Sequence, residues 1–252
     1  GDTILKPAWR GAISGRVVGR GGTLDSLLID TVRATYDDAR VRGARSHFAA
    51  AGAIDVAGTG TRLIGMAVRI DSLDVRTLGA VAKVADSLHG ALAGRVTLDG
   101  PTKDLVFHDL RLQHVDGPRA RSTVSGSGRL ASDIRTRWLD AALTLDTIAV
   151  ATLFRDQTAL PLQGSASGTL GVHATGDTLT LDATVRSGLA TAHVGGTALL
   201  DSTRTVMDLT GTIANVDPRI FIARREIPAM LISGAIGLSM DDGADHVDRH
   251  AA

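Results

Sequence analysis

Hydrophobic residues alternate with polar or small residues along most of this chain. Leu92, Gly94, Val96 and Leu98 occupy every second position, and the same pattern recurs from 179 to 185. A period of two places apolar side chains on one face of a β-strand and polar side chains on the other. The pattern therefore predicts a protein built mostly from strands that each carry one apolar row and one polar row.

The alternating segments belong to a repeating unit. A glycine pair opens each copy of the unit, at 11–15, 90–94, 164–168 and, in shortened form, 234–237. A closing phrase recurs at 70–78, 145–153 and 213–221. Two markers that keep the same order at a spacing of about 70 to 80 residues indicate an array of stacked modules. We predict three β-groove repeats and the start of a fourth with a flexible tail, over residues 1–83, 84–158, 159–227 and 228–252.

Helical spacing replaces the alternation at one place in the first repeat. Between Ser72 and Leu88 the apolar residues fall at intervals of three and four, which predicts a helix that links the first repeat to the second. A second crossover is expected near 148–155. The predicted fold is mostly β: an elongated, curved antiparallel sheet built from repeats of about 70 to 80 residues with short crossover helices.

Composition supports strands and excludes several classes of function. The chain is 44% hydrophobic but only 3% aromatic, so its buried surface comes from small aliphatic side chains. Three lysines and one glutamate are too few for a helical protein, because these residues favour helix surfaces. The 27 basic and 27 acidic residues balance, so no basic surplus suggests a nucleic-acid partner. The absence of cysteine excludes disulfides and thiolate chemistry.

The apolar rows predict a binding surface. If the strands join edge to edge into one curved sheet, the rows line a continuous trough, and exposed apolar surface of that extent marks a binding site. An acyl chain suits such a trough, because each buried CH₂ contributes about 0.8 kcal/mol without any polar contact. A repetitive lining also lets the chain slide. The predicted lining residues are Ile13, Val17, Ile64, Val68, Leu92, Val96, Leu98, Leu110, Leu112, Leu143, Leu145, Leu170, Val172, Leu179, Leu181, Val185, Leu209 and Ile213.

The second repeat shows a recognisable order of elements. A glycine pair opens a strand at 90–98, a turn follows at Gly100-Pro101, and an alternating strand, a glycine-rich strand and the closing phrase occupy 105–112, 125–130 and 143–153. This order resembles the AsmA and TamB proteins of the Gram-negative envelope, which belong to the repeating β-groove group of bridge-like lipid transfer proteins.

The resemblance implies a role in the cell envelope. It implies a periplasmic groove that conducts phospholipid between the inner and outer membranes, anchored in the inner membrane by parts missing from this sequence. It also implies outer-membrane biogenesis and an outer-membrane β-barrel protein as a further partner. Because the chain starts and stops within the repeat pattern, we expect it to be a fragment of a longer protein.

No constellation of residues predicts catalysis. His108 and His114, six positions apart on one face of a predicted strand, lack further ligands, and most aspartates occupy or flank turns. His246 and His250, with Asp241, Asp242 and Asp245, have spacing compatible with a metal site, but we prefer to interpret them as part of a flexible polar tail. We therefore predict no enzyme activity, no cofactor and no metal.

A structural or adhesive β-solenoid, such as an autotransporter passenger or surface repeat protein, is the alternative. Solenoid coils repeat at roughly 20 to 30 residues, which is much shorter than the unit seen here. A solenoid also does not account for the helical phrase at 72–88.

Overall fold

The structure is a computed structural model that describes residues 10–23, 26–56, 60–77, 89–117, 120–132, 137–153, 162–200 and 204–243. These residues form one antiparallel sheet of 13 strands. The strands are β1 (Gly11–Thr23), β2 (Ser26–Asp38), β3 (Arg45–Asp55), β4 (Arg62–Asp74), β5 (Ala91–Pro101), β6 (Asp104–Asp116), β7 (Ala120–Ser132), β8 (Arg137–Ala149), β9 (Ser165–Thr175), β10 (Thr178–Ser187), β11 (Ala190–Leu200), β12 (Arg204–Val216) and β13 (Ile232–Gly243).

Strand order in the sheet equals strand order in the chain. Each strand pairs with its sequence neighbours, so β1 and β13 form two open edges and the sheet does not close on itself. Short turns such as Gly176-Asp177 join consecutive strands, as the turn residues predict. The sequence-based prediction of a mostly β, elongated and curved antiparallel sheet is confirmed.

The longer connections follow every fourth strand. A helical segment at 75–77 follows β4, the short helix α1 (Val150–Leu153) follows β8, and a 3₁₀ turn (Pro218–Ile220) follows β12. The helix predicted over 72–88 begins later than expected, because β4 extends to Asp74, and residues 78–88 lie outside the described part of the chain. Four strands thus correspond to each predicted repeat, whose boundaries stay predictions.

An Asp-X-Arg sequence marks the places where the chain leaves the sheet after β2, β4 and β12. The carboxylates of Asp38, Asp74 and Asp217 accept the backbone N–H of the arginine two positions later, at 2.8, 3.0 and 3.0 Å. Each also accepts the guanidinium of that arginine. Burial opposes ionisation of Asp38, but the hydrogen bonds from Arg40 outweigh it and keep its pKa below the usual value. These pairs end the strands with their polar groups satisfied.

Glycines allow neighbouring strands to approach closely on the apolar face of the sheet. A Cβ at Gly94 would overlap the carbonyl oxygen of Arg111 and lie 2.9 Å from Cδ2 of Leu112. At Gly126 it would lie 2.8 Å from Cδ2 of Leu143. The space above each glycine is therefore filled by the large side chain of a neighbouring strand.

Large and small residues alternate across the strands as a result. One glycine in each of β5, β7, β9 and β11 lies between two larger residues in register: Gly94 between Ile70 and Leu112, Gly126 between Leu110 and Leu143, Gly168 between Leu145 and Val185, and Gly196 between Leu181 and Leu209. A sheet whose inner face carries these glycines bends toward that face, because nothing on the glycine resists the approach of the next strand.

Alanine substitutions on the two faces of β9 test this account. We expect Gly168→Ala to lower the free energy of unfolding by about 1 to 3 kcal/mol, because the new Cβ would collide with the backbone oxygen of Thr184. Gly171→Ala on the polar face is the matched control, since its nearest neighbour atom is 3.7 Å away. The control is expected to be neutral or stabilising by about 0.5 to 1 kcal/mol. Urea denaturation measures both, and equal effects would contradict the proposed close approach.

Candidate functional site

The register of the strands brings the predicted lining residues onto one face. Val68 lies opposite Val96, Leu143 opposite Leu170, and Leu181 opposite Val172, and residues that lie directly opposite share a face of the sheet. Extending the register strand by strand places all the predicted lining residues on this face except Ile64. We call it the apolar face and the opposite side the polar face.

Ile64 lies on the polar face. The chain has a bulge at Gly65, where φ is +52°, so Ile64 pairs with Ala53 while Met66 and Val68 stay in register with Leu98 and Val96. The bulge adds one residue to β4. The side chains before it therefore point to the opposite face from the one that strict alternation predicts. Ile64 is accordingly 48% exposed, whereas Met66 is buried. The strict alternation assumed from the sequence is wrong at this point.

A second bulge changes the faces of β6. Asp109 has φ of +53°, and the register between β5 and β6 shifts beside it. His108 consequently lies on the polar face and His114 on the apolar face, whereas the sequence placed both on one face. His114 donates from Nε2 to the carbonyl oxygen of His89 at 2.6 Å. The bulge also places Val106 on the polar face.

In the described part of the chain, nothing covers the apolar face as a second layer. Strands pack against their sequence neighbours, and no second sheet lies over this face among the residues described. Its side chains in β5, β9 and β10 are nevertheless half-buried, while most of their polar-face neighbours in β9 and β10 are exposed. Side chains on the inner side of a bent sheet converge and shield one another, which accounts for the difference. At the open edges this shielding fails, so Ile13 is 76% and Leu238 56% exposed.

The polar face carries paired charges that sequence reasoning did not single out. Arg20 pairs with Asp30, Arg45 with Asp37, and Arg129 with Asp104, each across neighbouring strands. Hydrogen bonds that the guanidiniums donate to these carboxylates raise the pKa of each of the three arginines. Such exposed pairs contribute little to stability. Alternation in the sequence indicates that these residues lie on a polar face. Which arginine pairs with which aspartate depends on the register of the strands.

Asp99 links the two bulges. Its carboxylate accepts the backbone N–H of Gly65 at 2.7 Å and lies 2.8 Å from Nε2 of His108. The Gly65 N–H, followed by His108, lowers the pKa of Asp99. Asp99, followed by Asp109, raises the pKa of the His108 imidazole. The three strands β4, β5 and β6 are thereby connected where their registers shift.

The described residues offer little for metal binding or membrane insertion by helices. They contain no group of three or more potential metal ligands. The candidate ligands His246, His250 and Asp245 lie outside the described ranges, while Asp241 and Asp242 belong to β13. None of the helical segments in the described ranges has the length and hydrophobicity of a membrane-spanning helix.

Comparison with known proteins returned no match. No protein-family model, curated protein or solved structure is significantly similar to this chain. The chemistry of the two faces is therefore the basis on which a function is inferred.

The Asp99–His108 pair predicts a pH dependence of stability. Because folding raises the pKa of His108, its stabilising contribution is complete below pH 6.5, the ordinary pKa of histidine, and disappears as the pH rises through the higher value of the folded state. We expect His108→Gln to lose this decline, as measured by urea denaturation across the neutral range. His47→Gln is the control, because the His47 ring is hydrogen-bonded to the uncharged hydroxyl of Thr35, whereas the His108 ring is hydrogen-bonded to a carboxylate. A wild-type profile retained in His108→Gln would contradict the prediction.

Proposed function

We propose that the apolar face binds the acyl chains of phospholipid and conducts them along the sheet. A single observation carries the proposal: apolar residues of consecutive strands lie in register across an open sheet, and no second layer covers them in the described structure. Exposed apolar surface of this extent is unusual on a soluble domain and marks a binding site.

The energetics of the face favour acyl chains over compact ligands. Each CH₂ removed from water contributes about 0.8 kcal/mol, so affinity grows with chain length. Large aliphatic side chains recur from strand to strand and cover the glycines between them, so the surface of the row is similar along its length. A bound chain therefore meets nearly equal energies along the row and can slide.

In this proposal the acyl chains move across the strands, along the apolar rows. The rows run across the strands, which are spaced by about 4.8 Å, so 13 strands provide a path on the order of 58 Å. In this proposal the chain is one part of a bridge of the AsmA and TamB type between inner and outer membranes. We place the bridge in the periplasm, with an inner-membrane anchor and a role in outer-membrane biogenesis, where an outer-membrane β-barrel protein is a further partner.

The role proposed here is not enzymatic. Its chemistry is transfer of an intact lipid, which requires no bond to be broken and no cofactor. A β-solenoid adhesin was the alternative, but consecutive coils of a solenoid stack as parallel strands, whereas consecutive strands of this sheet are antiparallel. No described feature favours an adhesive function over lipid binding.

Aspartate substitutions at adjacent residues, one pair in β5 and one pair in β10, test the conduit. We expect Leu98→Asp and Leu181→Asp to lower transfer of a fluorescent phospholipid between vesicles at least about tenfold, because a carboxylate in the row must be desolvated as the acyl chain passes. Thr97→Asp and Thr180→Asp add the same charge on the polar face and are the matched controls.

Lipid content provides a second readout. Wild-type protein is expected to retain phospholipid in native mass spectrometry, and the two leucine variants are expected to lose it. Circular dichroism checks that the variants remain folded. Unchanged transfer in both leucine variants, or equal loss in the threonine controls, would overturn the proposal.

A further inference from the structure

Five arginines form a continuous row on the polar face. Arg16 lies directly opposite Arg33, and Arg33 is followed across β3 by Ala49, Arg69, Arg95 and Arg111 in unbroken register. We call Arg16, Arg33, Arg69, Arg95 and Arg111 the arginine row. Like charges directly opposite on neighbouring strands destabilise a sheet. The row thus destabilises the sheet. Alternation of polar and apolar residues does not explain it, because any polar residue would satisfy that pattern.

Carboxylate partners are nearly absent from the row. Arg69 pairs with Asp71 at 2.6 Å, but the guanidiniums of Arg16, Arg33, Arg95 and Arg111 have no ion pair or hydrogen bond with any other described residue. Elsewhere on the same face Arg20, Arg45 and Arg129 are each paired with an aspartate. The row, with five arginines and one paired carboxylate, therefore carries an excess of positive charge.

Two concavities open along the row. One, of about 680 Å³, is lined by Arg69, Arg95 and Arg111 together with Gln113 and Thr123. The other, of about 650 Å³, is lined by Arg16 and Arg33 together with Ser14, Thr35 and His47. Asp71 borders both. Guanidinium and hydroxyl groups line each concavity, with an added amide from Gln113 in the first, and these are groups that bind oxyanions.

We propose that the arginine row is a binding site for phosphate groups, with the Arg16–Arg33 pair and the Arg95–Arg111 pair each holding one. Side chains directly opposite on adjacent strands start from Cβ atoms about 5 Å apart, so one phosphate can accept hydrogen bonds from both guanidiniums. A phosphate monoester carries nearly two negative charges at neutral pH, which matches two arginines, whereas a carboxylate matches one. The two pairs are about 19 Å apart along the sheet, so they receive separate phosphate groups of a polyphosphate or of neighbouring lipid headgroups.

This site is independent of the proposed acyl-chain function. It lies on the opposite face of the sheet, and its ligand is recognised by charge instead of by apolar contact. The variants below are accordingly expected to keep phospholipid transfer within about twofold of wild type, because they leave the apolar face unchanged.

The test uses the whole chain and two phosphate probes. Tripolyphosphate is titrated in a calorimeter, and vesicles of phosphatidylcholine containing phosphatidic acid are used for co-sedimentation. We expect the double variant R95Q/R111Q to remove one of the two phosphate sites and so to lower the stoichiometry of binding, and we expect the quadruple variant R16Q/R33Q/R95Q/R111Q to lower affinity for the bound probe at least about tenfold, because the charge-assisted hydrogen bonds of both pairs are lost. R16Q/R33Q alone is expected to lower the stoichiometry in the same way, and added salt should weaken binding by the wild type.

The matched control is R20Q/R45Q, which removes the same charge from the same face outside the row. Its expected loss is less than about twofold, because distant exposed charges are screened. Binding of tripolyphosphate would indicate a soluble ligand, and binding of vesicles alone would indicate a lipid headgroup. Failure to bind either probe, or equal losses in the control and the row variants, would overturn the proposal. Urea denaturation distinguishes these losses from unfolding, since removal of facing arginines should leave stability unchanged or increased.

Discussion

The close approach of strands at glycines of the apolar face is the constraint on which the rest of the structure depends. At Gly94, Gly126 and Gly168 a neighbouring backbone oxygen occupies the position of a Cβ, and at the first two a leucine of the next strand also closes over the glycine. The sheet can therefore bend toward its apolar face without a second layer to support it. Bending half-buries the aliphatic side chains, and this is how a single sheet with few aromatic residues limits its contact with water.

A sheet of one layer leaves two surfaces with different chemistry. Each strand supplies one apolar and one polar residue in turn, so the same alternation that builds the apolar face also builds the polar face. Among the described residues, the polar face carries arginine–aspartate pairs such as Arg20–Asp30 and a row of five arginines of which only Arg69 has a carboxylate partner. If both proposals hold, the molecule presents an acyl-chain surface on one side and a phosphate-binding surface on the other, which are the two chemical parts of a phospholipid.

The faces of most residues were predictable from sequence because a strand has a strict period of two. This reasoning succeeded for β9 and β10, where no glycine or aspartate adopts a positive φ inside the strand, and for β5, where the positive φ at Gly100 comes after the last predicted lining residue. It assigned Val96, Leu170 and Leu181 to one face. It failed for Ile64 and for the relation of His108 to His114. Both errors lie next to bulges, at Gly65 and Asp109, and a bulge depends on how two neighbouring strands fit, which a single strand's pattern does not reveal.

The sequence by itself determined the fold class, the strand segments and the apolar character of one face, because these follow from local alternation and from residues that favour turns. Only the tertiary structure decided the bulges, the glycine positions that receive a neighbour's leucine and the alignment of Arg16, Arg33, Arg69, Arg95 and Arg111. These arginines are far apart in the chain, and their common row depends on the register of six strands. Register is set by hydrogen bonds between strands, so no local pattern contains it.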